Sequence, residues 1–175
     1  SNISIISSIN TGPGISALEV AGPYIFAAQA STVSQLQIID IHNRQSPKLL
    51  SQLKLPLPTP TTTAPFAASI TYSRGYVYLG TMKWEGAEIS IIDVKDVTNP
   101  KVVGSIETNT LINDMAVIGD VVYAASSDEK QIRIIDITNK TQPALVGYYS
   151  PSGWQTQEGK VVDYYEGRIG FGRTV

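Results

Sequence analysis

Three aspartates recur at matching places in this 175-residue chain, and a repeated carboxylate is the first candidate for chemistry. Asp40, Asp93 and Asp136 each close a short apolar run. Each is followed seven residues later by a proline: Pro47, Pro100 and Pro143. A ring of carboxylates could hold a divalent ion or move protons. A catalytic group, however, is normally needed once. An Asp repeated with the same proline partner reads instead as an Asx-turn, its carboxylate bonding the backbone of the turn that follows.

The other candidates are thinner. His42 is the only histidine, and one histidine cannot build a multi-histidine metal site. It falls in a turn just after Asp40 and reads as a surface residue. There is no cysteine, which removes disulfides, thiolate metal sites and cysteine nucleophiles. No phosphate-binding loop, GxSxG or HExxH pattern is present. Asn139-Lys140-Thr141 and Asn2-Ile3-Ser4 match the short glycosylation pattern. The acidic residues Glu85, Glu88, Asp128, Glu129, Glu158 and Asp163 show no spacing that selects a pair, and solvated loops account for them. No cofactor is expected. A net charge of −2 gives no electrostatic case for nucleic acid, and no apolar run approaches the length that spans a bilayer. No signal-peptide pattern is seen, and no membrane insertion is expected of this chain.

The elements that position these residues are strands. The three Asp-closing runs are Leu36-Gln37-Ile38-Ile39-Asp40, Ile89-Ser90-Ile91-Ile92-Asp93 and Ile132-Arg133-Ile134-Ile135-Asp136. A glycine precedes each Asp by 18, 18 and 17 residues: Gly22, Gly75 and Gly119. Each glycine suits a tight hairpin in which positive φ is needed. Around these landmarks each copy divides into four strands. The first covers residues 16–20, 67–71 and 114–118; the second covers 24–28, 76–81 and 121–125. The third carries the Ile-Asp signature. The fourth follows the proline, over 48–53, 101–106 and 144–149. Four antiparallel strands at a period near 45 residues predict a β-propeller blade.

The fold class is therefore all-β, one propeller region over 1–175 with three complete blades and partial blades at both ends. The blades are expected over 15–54, 66–107 and 111–149. Residues 3–9 read as the outer strand of a preceding blade, and 158–175 as the first half of another. Closure would need a third strand that the pattern does not supply, so the reading expects part of a larger ring. Strand pairing with further blades or with another subunit is the corresponding expectation for partners.

These copies resemble the LVIVD-repeat family of β-propellers, most clearly at Ile134-Ile135-Asp136-Ile137 with Pro143-Ala144-Leu145-Val146-Gly147, and at Ile91-Ile92-Asp93-Val94 with Pro100-Lys101-Val102-Val103-Gly104. The first copy departs at Ser51, where the others have Gly104 and Gly147. WD40 and kelch signatures are absent. The resemblance implies a closed ring and a secreted or cell-surface prokaryotic protein, and it carries over no catalytic residue.

Alternating strands put the two loop classes that vary in length on one face, and insertions on one face of a repeat protein commonly mark its binding side. Lys83, Trp84 and Glu85 lie in one such loop, and Trp154, Gln155, Gln157 and Glu158 in another. Between the first two copies, Pro56, Pro58, Pro60 and Pro65 stiffen an insertion toward polyproline II. Tryptophan anchors proteins and glycans well, though each ring could instead fold inward and pack. The leading expectation is a non-catalytic module binding a protein or glycan through this face. The alternative is a metal-dependent propeller hydrolase or lyase with an axial site, for which Asn113, Asp114 and Glu158 are the available residues. A plain structural scaffold is the third.

Overall fold

The computed structural model describes residues 3–12, 14–58, 64–150 and 158–173. Its described residues form fourteen strands and no helix. The first sheet contains β1 (Ile15–Ala21), β2 (Tyr24–Gln29), β3 (Leu36–Asp40) and β4 (Lys48–Leu53). The second contains β5 (Ala67–Ser73), β6 (Tyr76–Thr81), β7 (Ile89–Asp93) and β8 (Lys101–Ile106). The third contains β9 (Ile112–Ile118), β10 (Val121–Ser126), β11 (Ile132–Asp136) and β12 (Ala144–Tyr149). A hairpin of β13 (Gly159–Tyr165) and β14 (Arg168–Arg173) follows. Every sheet is an antiparallel meander in chain order. These are propeller blades stacked in sequence, and they do not close into a ring in this chain.

The core lies between blades. Strand side chains alternate faces, so a strand buried on both sides is mostly apolar, and any polar residue in it needs a hydrogen-bond partner, as Gln37 and Arg133 have. This explains the Ile-rich third strands. Ile38 joins Phe26, Ile70, Val77 and Ile92 in the first junction. Ile89 and Ile91 join Tyr78, Met115, Val122 and Ile135 in the second. The third junction is smaller: buried Ala125, Ile132 and Val162, with Ile169 and Phe171 against them.

The first-to-second-strand hairpins come in two forms. Arg74-Gly75 and Glu166-Gly167 have positive φ at both turn residues. Gly22 and Gly119 have positive φ at the first turn position, ahead of Pro23 and Asp120. The recurring glycines are therefore not strictly equivalent, because primed turns accept either arrangement.

Each innermost strand opens with a β-bulge. From there a polar side chain reaches the next blade. Ser16 Oγ donates to Ala67 O at 2.7 Å, Ser69 Oγ to Ile112 O at 2.9 Å, and Asn113 Nδ2 to Gly159 O at 2.6 Å. The three acceptors open β5, β9 and β13, so one strap is repeated at every junction.

Residues 3–9 form no strand, which corrects the sequence expectation for that segment. A ladder needs a partner, and no third strand lies beside them among the described residues. Their anchors are nonetheless those of a fourth strand. Ser7 Oγ donates to Arg44 O, as Ser51 Oγ donates to Val97 O at the matching turn of the second blade. Thr11 O accepts from Gln37 Nε2, as Thr108 O accepts from Arg133 Nη2.

Candidate functional site

The turns after the third strands, residues 41–47, 94–100 and 137–143, are equal in length. Each is built from two successive Asx-turns. Asp40 Oδ1 accepts from His42 N at 2.8 Å, Asp93 Oδ1 from Lys95 N at 3.0 Å, and Asp136 Oδ1 from Thr138 N at 2.7 Å. Asn43, Asp96 and Asn139 then repeat the contact with Gln45, Thr98 and Thr141. The signature aspartates thus shape turns. His42 is exposed, with Nδ1 2.7 Å from Asp40 Oδ1.

These bonds hold the three carboxyls below their ordinary value. The His42 amide is the main cause for Asp40, the Lys95 amide for Asp93 and the Thr138 amide for Asp136. A depressed folded-state pKa contributes stability above the unfolded value and loses it as pH falls through the folded value. The urea midpoint should therefore drop between about pH 5 and pH 2.5, a window spanning the carboxylate range. Asp136→Asn keeps the turn but cannot titrate, so it should shrink that drop. An undiminished drop in this variant would count against the assignment.

The opposite face carries the variable loops. The connection from the first to the second blade, residues 54–66, is longer than its counterparts, residues 107–111 and 150–158. It meets the loop of residues 82–88 at a cavity of about 210 Å³, lined by Leu55, Pro56, Pro58 and Trp84, with Ser90 and Ser105 of the second blade. Trp84 is half-buried. Its indole Nε1 donates to Ala87 O at 3.0 Å, and its ring packs so closely on Gly86 that an added Cβ would come within 2.6 Å of it. One side of the ring is braced by its own loop, and the ring also lines the groove. Lys83 and Glu85 beside it are exposed. Glu158 pairs with Lys160 on the hairpin side of the molecule. Trp154, Gln155, Gln157 and Pro60 lie outside the described residues.

Beneath this face runs a row of polar residues that sequence reading missed. Gln35, Glu88 and Gln131 directly precede the three third strands, and all are fully buried. Gln35 Oε1 accepts from Leu55 N at 2.8 Å. Glu88 Oε2 accepts from Thr108 N at 2.7 Å and Asn109 N at 2.9 Å. In both cases the side chain fixes the crossing to the next blade, 20 residues on. Glu88 is therefore not a solvated loop acid. It is buried because the connection closes over it.

Asp128 corrects the same expectation. It receives two guanidinium bonds from Arg133, at 2.9 and 2.7 Å, and Arg133 is itself buried. Burial alone would push the Asp128 carboxyl up. The Arg133 charge and hydrogen bonds, with those of Ser126 and Lys130, outweigh it and hold the group low.

The residues suited to an axial enzyme site are used elsewhere. Asn113 straps the third blade to Gly159 and also donates to Ser127 Oγ at 2.7 Å. Asp114 Oδ2 accepts from Val162 N at 3.0 Å. Asp114 also borders an inner cavity of about 680 Å³ with Glu19 and Asp163. Desolvation, with the Asp114 charge as a lesser contribution, raises the Glu19 carboxyl against a lowering bond from the Tyr72 backbone. Among the described residues, no three His, Cys, Asp or Glu are grouped to hold a metal ion.

Residues 112–150, which span the third blade, match the LVIVD repeat. Among solved structures, the chain is similar to the computationally designed Ika4 protein, with a TM-score of 0.68 at 13% identity over 99% of this chain and 93% of that one. It is also similar to the computationally designed Ika8 protein, with a TM-score of 0.64 at 15% identity over 91% of this chain and 42% of that one. A third likeness is to apo AztD from Citrobacter koseri, with a TM-score of 0.51 at 16% identity over 90% of this chain and 41% of that one. The chain therefore spans less than half the length of Ika8 and AztD. At these identities the likeness is one of fold. No curated protein matches the chain.

Proposed function

We propose that this chain, an open stack of propeller blades carrying an LVIVD repeat, is a non-catalytic binding module of a secreted or surface protein. It engages a protein or glycan through the Trp84 groove. The observation that carries the reading is the meeting of the longest loop of each of the two classes on this face, residues 54–66 and 82–88, at one groove with a braced indole on its wall. A ring already held by Ala87 and Gly86 loses little freedom on binding, which favours its use as an anchor. Proline on the facing wall stiffens that side in the same way. The extracellular placement rests on the LVIVD likeness alone.

Titration of surface glycans and extracted surface proteins, followed by tryptophan fluorescence, tests the reading. Trp84→Ala should weaken the selected partner by about thirtyfold, the scale of a hot-spot residue. Its urea midpoint serves as a check on folding. Unchanged binding by a folded Trp84→Ala protein would sink the proposal.

A further inference from the structure

The floor of the Trp84 groove differs from its counterparts in the other two blades. One register position sets it, where the second residue of the third strand pairs with the fifth residue of the fourth. That pair is Gln37 with Gln52 in the first blade, Ser90 with Ser105 in the second and Arg133 with Tyr148 in the third. Gln37 and Arg133 are long enough to reach the connection that enters their blade. Gln37 Nε2 donates to Thr11 O at 3.0 Å, and Arg133 Nη2 donates to Thr108 O at 3.1 Å. A serine at the same position is too short for that reach.

Leu55 holds the place of Thr108. Its amide is taken by Gln35, the residue ahead of the preceding third strand, as the Thr108 amide is taken by Glu88. Arg133 satisfies Thr108 O. Among the described residues nothing donates to Leu55 O, although Leu55 is only 2% exposed. Ser90 is 4% exposed, and its hydroxyl likewise has no partner among them. Both residues line the groove. Buried polar groups are normally bonded, so an occupant must bring a donor for Leu55 O and a hydrogen-bonding group for Ser90 Oγ.

We infer that the groove takes one neutral pyranose ring of a glycan. The inference rests on the binding-module reading and narrows it to a ligand class. The Trp84 indole offers a flat apolar wall to the C–H face of the sugar. Sugar hydroxyls donate to Leu55 O, and they both donate to and accept from Ser90 and, at the exposed rim, Ser105. No charged side chain lines the groove, which suits an uncharged sugar. Its volume of about 210 Å³ lies below the roughly 300 Å³ at which drug-sized sites begin, and fits a single ring. An apolar peptide side chain would leave Leu55 O and Ser90 Oγ unbonded, at the full cost of their desolvation. The first blade keeps a hollow of about 180 Å³ beside Gln37, but no aromatic ring lines it.

Calorimetric titration of the intact chain tests this, with methyl glucoside, methyl galactoside, methyl mannoside and N-acetylglucosamine as probes and decaproline as the competing class. At least one sugar should bind one to one. Ser90→Gln installs the residue that the first blade carries. Its amide should take Leu55 O and weaken sugar binding at least about tenfold, without lowering the urea midpoint. Ser105→Gln, at the exposed rim, should weaken binding in the same direction, and it decides the matter where Ser90→Gln folds poorly. No binding of any sugar, binding that both variants leave unchanged, or a preference for decaproline overturns the inference. A partner weakened by Trp84→Ala but untouched by Ser90→Gln would end the pyranose assignment alone. A folded Trp84→Ala protein that binds its partner normally would end the wider reading as well.

Discussion

Gly104→Ala should lower stability by about 3 kcal/mol, the upper end of the range for forcing extra atoms into a packed interior. Gly104 sits at the bulge of β8, under the turn of the third blade. A Cβ there would lie 1.9 Å from Lys140 O and 3.2 Å from Thr141 Cα, and both are backbone. The turn cannot yield cheaply, because the Asp136 and Asn139 side chains hold it. The first blade shows the contrast. Its matching residue is Ser51, and its hydroxyl reaches Val97 O at 2.6 Å, so that junction already has room for a Cβ. Gly147 supplies the control. The nearest atom to its added Cβ is Ile134 Cδ1 at 3.9 Å. Gly147→Ala should stay within about 0.5 kcal/mol of the parent. Urea unfolding of both variants reads the difference, and equal midpoints would refute the packing argument.

Glu88→Ala should cost about 2 to 3 kcal/mol, and Glu88→Gln less than half of that. The alanine variant strands the amides of Thr108 and Asn109 in a site closed to water, and an unsatisfied buried donor costs its full desolvation. Thr108 Oγ1 loses its 3.1 Å bond to the same carboxylate oxygen. Glutamine keeps a carbonyl oxygen for these donors. The second carboxylate oxygen, Glu88 Oε1, has no hydrogen-bond partner, so glutamine forgoes little by lacking it. Gln35 already does this work with Leu55 in the first blade. Urea midpoints again decide: a glutamine variant as unstable as the alanine variant would mean that charge, not the acceptor oxygen, holds the connection.

Features that depend on neighbours in sequence were legible before the structure. The third strands declare themselves by Ile-rich runs closing in Asp, the hairpins by Gly22, Gly75 and Gly119, and the turns by Asp and Pro seven residues apart. Features set by a distant segment were not. Glu88 looks like a loop acid because nothing nearby in sequence announces the crossing at Thr108, 20 residues on, and Asp128 does so because its partner Arg133, though five residues away, is buried only by the fold around it. The one available signal is a polar residue directly ahead of each Ile-rich run, at Gln35, Glu88 and Gln131. The candidate site was half legible. Loop length picked out the face carrying Trp84, while the bracing by Gly86 and Ala87 needed coordinates. Residues 3–9 carry the composition of an outer strand and sit at its anchors, but strand structure requires a partner that composition cannot report.

The straps between blades bear on how such a chain can change over generations. Their acceptors are main-chain carbonyls, belonging to an alanine, an isoleucine and a glycine. A carbonyl survives any substitution, so each blade recognises its successor through a feature that mutation of the successor cannot erase. Only the donor side is exposed to drift, and there serine and asparagine serve interchangeably. A duplicated blade would find its place on arrival, before any of its own side chains had adapted. A stack held this way can change most of its side chains while keeping its architecture, and the likeness of fold to the designed Ika4 protein at 13% identity shows how little shared sequence that architecture requires.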